Sequence, residues 1–232
     1  MTRLLASVRN LTEARLALSG GADLLDFKEP SHGALGAVAL SALRGMRPAL
    51  GPGVTLSATI GDRPMDPPGV IRAVVQTAAT GVDYVKVGFF PDGDWDRCLD
   101  ALATIGTGTA IVAVLFADRY VPPRALLQSV RAAGLRGAML DTADKLHGLR
   151  RHLDDRQLAG FVDNCRDLGL LCGLAGSLSI EDIAPLLALS PDYLGFRGAL
   201  CGGERRAQLD PACLAAVRAR IPARDVRPRA LA

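Results

Sequence analysis

Residues 54–89, VTLSATIGDRPMDPPGVIRAVVQTAATGVDYVKVGF, contain an apolar run, a turn segment, a helical pattern and a second apolar run, in that order. The runs at 54–60 and 83–89 are short and rich in aliphatic and β-branched residues, which is strand character. Residues 67–81 space their apolar side chains for a helix and close on Gly81. A strand, a helix and a strand in succession form a crossover, which sets the two strands parallel. Runs this apolar are buried on both faces, as parallel strands are.

The same unit recurs on either side. Further strand-like runs lie at 3–8, 23–28, 110–116, 136–141, 170–175 and 192–197, and helical spacing recurs at 11–21, 94–106, 122–134, 155–169 and 180–190. Eight strands alternating with helices predict an α/β fold, a (β/α)₈ TIM barrel forming a single domain over residues 1–222, with residues 223–232 as a flexible tail. An open doubly wound sheet is the main alternative, but no GxGxxG follows the first strand and no second-domain boundary is visible. The echoes GADLLDFK, GVDYVKVG and SPDYLGFRG place Asp23, Asp83 and Asp192 at strand entrances, where a structural role is expected.

Composition narrows the function classes. The 232 residues carry a net charge of +3 with arginines scattered among acids, which argues against a nucleic-acid partner. Five cysteines without a CxxC pair predict neither a disulfide framework nor a zinc site, and fit a reducing cytoplasm. No run is long enough for a membrane span or a secretory leader. No metal and no cofactor are expected. His147 and His152 are five apart, which would put them on different faces of a helix, with no carboxylate to complete a metal site. Trp95 and Cys201 read as core or loop residues.

Arginine usage singles out the chemistry. Of 27 basic residues only Lys28, Lys86 and Lys145 are lysines. Strand alternation puts Leu24, Asp26 and Lys28 on one face and Tyr84, Lys86 and Gly88 on another, both at carboxyl ends, where barrels build active sites. Asp141 closes the sixth strand and Lys145 follows four residues later. Arginine stays protonated, whereas a crowded and desolvated lysine can lose its proton and attack a carbonyl. One lysine would then be a Schiff-base nucleophile and another its base or its pKa-lowering neighbour. Asp26 and Asp141 would hold the amines and relay protons. The plainer alternative is that the lysines only cap carboxylates.

Two regions are candidate anion sites, the loops after strands seven and eight together and the loop after strand two. The stretch GLAGSLSIEDI offers Gly176 and Ser177 after the seventh strand, with Ser179 as a helix cap, and FRGALCGGERR offers Arg197 and Gly198 after the eighth. The loop EPSHGALGA, with His32, Gly33 and Gly36, is a candidate second nest, His32 also reading as a solvated loop residue.

Taken together, GGADLLDFKEPSHGALGA, LSATIGD, GVDYVKVG, AMLDTADK, GLAGSL and GFRGALC resemble the (5-formylfuran-3-yl)methyl phosphate synthase family of methanofuran biosynthesis, over nearly the whole chain. The resemblance implies a (β/α)₈ barrel that condenses two molecules of glyceraldehyde 3-phosphate into a furan aldehyde phosphate, losing phosphate and water. By motif it implies Lys28 as the Schiff-base lysine and Lys86 as the proton acceptor, with Asp26, Asp141 and Lys145 in support. The 116–124 segment is shorter than the family's loop and lacks a lysine there. A small phosphorylated triose is the expected partner, in a homo-oligomer. A class I aldolase of another sugar phosphate, or a non-catalytic barrel that binds a phosphometabolite, are the competing functions.

Overall fold

Eight strands pair side by side in chain order: β1 (Arg3–Val8), β2 (Leu24–Phe27), β3 (Leu56–Thr59), β4 (Tyr84–Phe89), β5 (Ala110–Phe116), β6 (Gly137–Asp141), β7 (Leu171–Leu174) and β8 (Tyr193–Phe196). Each pair is parallel, and β8 pairs with β1 to close the sheet. The chain is therefore the expected single (β/α)₈ barrel. This computed structural model describes residues 1–105, 108 and 110–222, and the tail expected at 223–232 lies outside the described residues.

Helices α1 (Leu11–Ser19), α4 (Pro67–Ala78), α5 (Trp95–Ala103), α6 (Arg124–Ala132), α7 (Asp155–Asp167) and α8 (Ile183–Ala188) fall in the predicted segments. Their starts have local causes. Asp66 caps α4 by accepting from Gly69 N with Pro67 at the first turn, and Asp154 and Gln157 form a reciprocal capping box on α7. Three helices were not predicted: α2 (Leu40–Arg44), α3 (Met46–Leu50) and α9 (Pro211–Arg218). The first two are only five residues each and meet at Gly45, too short to show a period. The pair His147 and His152 also differs from expectation. They flank the 3-10 turn Leu149–Arg151 instead of sharing a helix, with ring centroids 6.2 Å apart.

Alternation splits the strand side chains between two cores. Leu25 and Phe27 of β2 pack outward beneath the helices, whereas Leu5, Leu24, Val112, Val114, Met139 and Tyr193 fill the barrel axis. Tyr193 is fully enclosed there. It faces Gly173 of the neighbouring strand in register, and a Cβ at position 173 would lie 2.2 Å from the Tyr193 ring. At the strand entrances, Asp23, Asp83 and Asp192 accept the backbone N–H of Leu4, Leu56 and Cys172, each at 2.7 Å. Each carboxylate thus pins the preceding strand. The amino-end face is a brace, and chemistry is left to the carboxyl ends.

Candidate active site

The carboxyl ends of the strands surround a cavity of about 520 Å³ that all three lysines line together with Asp26 and Asp141. Two charged groups organise it. The deeper one centres on Asp26, which β2 points inward between Ser7 of β1 and Ser57 of β3, its partners in register. Ser57 Oγ donates to Asp26 Oδ1 at 2.5 Å, and Ser7 Oγ donates to Oδ2 at 3.3 Å. Lys86 Nζ stands 2.9 Å from Asp26 Oδ1, close enough for an ion pair, yet it has no aligned hydrogen-bond partner among the described residues. The amine also lies 5.7 Å from the centre of the Tyr193 ring, which belongs to the packed core of the barrel axis.

The second group is nearer the mouth. Lys28 follows β2 directly, its N–H held by Val8 O at 3.0 Å and its Nζ 3.6 Å from Asp141 Oδ2. Asp141 Oδ1 accepts from Lys145 Nζ at 2.6 Å and from Thr142 N at 2.7 Å, and Lys145 also donates to Thr142 O. Lys28 is the more accessible of the first two amines, at 10% side-chain exposure against 3% for Lys86. Lys28 is thus more open to the cavity than Lys86, and Lys145, at 15%, is more open still but held by Asp141 and Thr142 O.

Electrostatics separates the carboxylates from the amines. Burial alone would raise the Asp26 carboxyl, but the charges of Lys86 and Lys28 and the bond from Ser57 outweigh it and hold its pKa below the usual range. Asp141 behaves likewise, with Lys145 and Lys28 overcoming its burial. Burial pushes the pKa of Lys86 down, against the pull of Asp26, and the charge of Lys28 pushes the same way. Lys145 is also lowered by burial, opposed by Asp141. The carboxylates stay ionised while two amines are eased towards their neutral forms.

Gly176, Ser177 and Gly198 line the same cavity. Gly176 has φ 101° and Ser177 φ 46°, a left-handed turn that bends the loop after β7 around the rim. Among the described residues the N–H groups of Gly176, Ser177, Gly198 and Ala199 have no protein acceptor. All four residues line the cavity, so these donors are open to a ligand there.

Other predicted anion residues are placed differently. Arg197 reaches the cavity wall, but each of its N–H donors is engaged by Ser7 O, Glu13 Oε1 and Oε2, Arg205 O or Ala207 O. It holds the wall and has no donor left for a ligand. The loop after β2 is closed to anions because Asp62 fills it, accepting Ala34 N and Leu35 N at 2.7 Å each. The Asp62 carboxylate would meet any Cβ placed at Gly33, and Gly36 is packed against Glu29 O. His32 is exposed, and neither it nor the two glycines lines the cavity.

Ser7, Met139, Ala199 and Arg205 of the cavity lining, and Ser57, which bonds Asp26 from outside that lining, are not singled out by the sequence. Ser7 and Ser57 carried a usable signal, a small hydroxyl at an inward position of an apolar strand. Met139 and Arg205 carried none, since one reads as core and the other is a single arginine among many.

Comparison with known proteins identifies the family. The family model described as 4-HFC-P synthase matches residues 4–218. A protein of Methylorubrum extorquens, provisionally named a (5-formylfuran-3-yl)methyl phosphate synthase, is 42% identical over 215 residues, covering 92% of this chain and 89% of its own. The (5-formylfuran-3-yl)methyl phosphate synthase of Methanococcus maripaludis is 37% identical, covering 88% of this chain and 92% of its own. Among solved structures, 3-hexulose-6-phosphate synthase superposes with a TM-score of 0.66 at 18% identity, covering 94% of this chain and all of its own (100%). Phosphoribosyl anthranilate isomerase of Thermus thermophilus gives 0.65 at 20%, covering 94% and 98%. These two share the barrel alone, whereas the family match runs from the first strand through the last helix and takes in every lysine: this chain belongs to the 4-HFC-P synthase family.

Proposed function

We propose that the protein condenses two molecules of glyceraldehyde 3-phosphate into (5-formylfuran-3-yl)methyl phosphate through a Schiff base on Lys28, releasing phosphate and water as a carbon–oxygen lyase. The observation that carries this reading is the convergence of Lys28, Lys86, Lys145, Asp26 and Asp141 on one cavity, in a chain with no other lysine. Lys28 is one of the two amines nearer the mouth, the one not hydrogen-bonded to Asp141, which stands beside it to shuttle the protons of imine formation. Lys86 is the deeper amine. Its lowered pKa suits a base that takes a carbon-bound proton from the imine to give the enamine. The enamine carbon then attacks the second aldehyde, and elimination and ring closure follow. The donors at Gly176, Ser177, Gly198 and Ala199 support a first phosphate site.

The test combines trapping with product detection. Borohydride reduction in the presence of glyceraldehyde 3-phosphate should fix one triose phosphate on the peptide containing Lys28, and the unreduced reaction should build the ultraviolet band of a conjugated furan aldehyde. No adduct would remove the Schiff base. An adduct without the band would favour an ordinary class I aldolase.

A further inference from the structure

Two phosphorylated substrates need two anion anchors, and the loop after β2 is closed by Asp62. The cavity has one more cation facing it. Arg205 lines it, half-buried, and among the described residues its side chain makes one hydrogen bond, from Nη2 to Gly33 O at 2.7 Å. Among the described residues it makes no ion pair with a carboxylate, unlike Arg197, Arg9 and the three lysines.

The segment bearing Arg205 is built to a fixed position. Glu13 of α1 is buried, and its carboxylate takes Arg9 Nε and Nη2 at 3.0 and 2.8 Å and Arg197 Nη1 and Nη2 at 2.6 and 3.2 Å. The remaining donors of these two arginines hold three successive carbonyls. Arg197 Nε binds Arg205 O at 2.8 Å, Arg9 Nη1 binds Arg206 O at 2.9 Å, and Arg197 Nη2 binds Ala207 O at 2.6 Å. The backbone is gripped from behind while the Arg205 side chain extends over the cavity to the loop after β2. Burial bears against its charge, with Asp141 partly relieving it.

We propose that Arg205 binds the phosphate of the second triose phosphate, opposite the glycine loops that hold the first, and that Glu13, Arg9 and Arg197 are the residues that position it. The proposal rests on the two-substrate condensation above. A planar guanidinium with free N–H groups matches two phosphate oxygens at once, which a lone ammonium does not. Lys145 lies in the same field, its pKa lowered further by the charge of Arg205, so the second phosphate would sit between two cations beside Asp141.

Arg205→Met and Arg205→Lys test this against wild type. The wild-type protein must first give the borohydride adduct on Lys28; its absence would remove the condensation itself and not the part assigned to Arg205. R205M is expected to trap that adduct at the wild-type level while needing about tenfold to a hundredfold more glyceraldehyde 3-phosphate for half-maximal product, with R205K in between. Unphosphorylated glyceraldehyde, offered as acceptor and scored by the mass of the mixed product, should be used as well by R205M as by wild type. An unchanged half-saturation, an equal loss with both acceptors, or a parallel loss of the Lys28 adduct would each overturn the assignment.

Discussion

At the scale of single residues, charge and burial divide the labour among chemically identical side chains. Lys86 is the more deeply enclosed amine and depends on Asp26 to keep its proton. Activity should therefore climb with pH along a limb whose midpoint lies below the 10.5 of a free lysine. Because Asp26 raises the Lys86 pKa, Asp26→Asn should move that limb to lower pH, and a kcat–pH profile of the two proteins checks the sign. Lys86→Arg keeps a positive charge beside Asp26 but supplies no base, so it should fold and lose about 10²–10⁴-fold in kcat. Tyr193 offers a contrasting case. Its hydroxyl is buried without a hydrogen-bond partner among the described residues, so Tyr193→Phe should leave the melting temperature unchanged or raised. The lysines were legible from the sequence because the chain uses arginine nearly everywhere else. Arg205 was not, because the same bias makes it one of 24 arginines.

At the scale of elements, the loops are held by carboxylates reaching from neighbouring units. Asp62, after β3, ties down Ala34 and Leu35 after β2, and Asp118, after β5, ties down Ala143 and Asp144 after β6 at 2.7 and 2.8 Å. Asp62→Ala should cost about 1–3 kcal/mol in chemical denaturation by leaving two buried-side N–H groups unbonded. Glu13→Gln acts on a different loop. It leaves Arg9 and Arg197 without their shared carboxylate, so stability should fall by about 3–5 kcal/mol and half-saturation should rise while the Lys28 adduct persists. Such braces explain why the loop after β2 was misread as an anion nest. Its glycines are visible locally, but the carboxylate that occupies it lies 28 residues away from Ala34. Strands β1 and β5 fall on their predicted bounds because their apolar runs end at turn residues, whereas α2 and α3 are single turns without a readable period.

At the scale of the whole molecule, the closed barrel separates stability from chemistry along its axis. Aspartates at strand entrances pin one end, Tyr193 with the aliphatic layers fills the axis, and the lysines with Asp26 and Asp141 line the cavity at the other end. This division was legible from alternation alone, since parallel β/α units leave few topologies to weigh. What alternation could not give was the pairing of charges across the mouth, as Asp26 reaches Lys86 from β2 to β4 and Asp141 reaches Lys28 from β6 to β2. In the proposed mechanism these crossings split nucleophile from base. Intact-protein mass spectrometry after borohydride treatment with glyceraldehyde 3-phosphate measures it most directly, on wild type, Lys28→Arg and Lys86→Arg. A trapped triose phosphate is expected on wild type and on K86R, furan product from wild type alone, and neither from K28R; an adduct on K28R as abundant as on wild type would rule out Lys28 as the nucleophile.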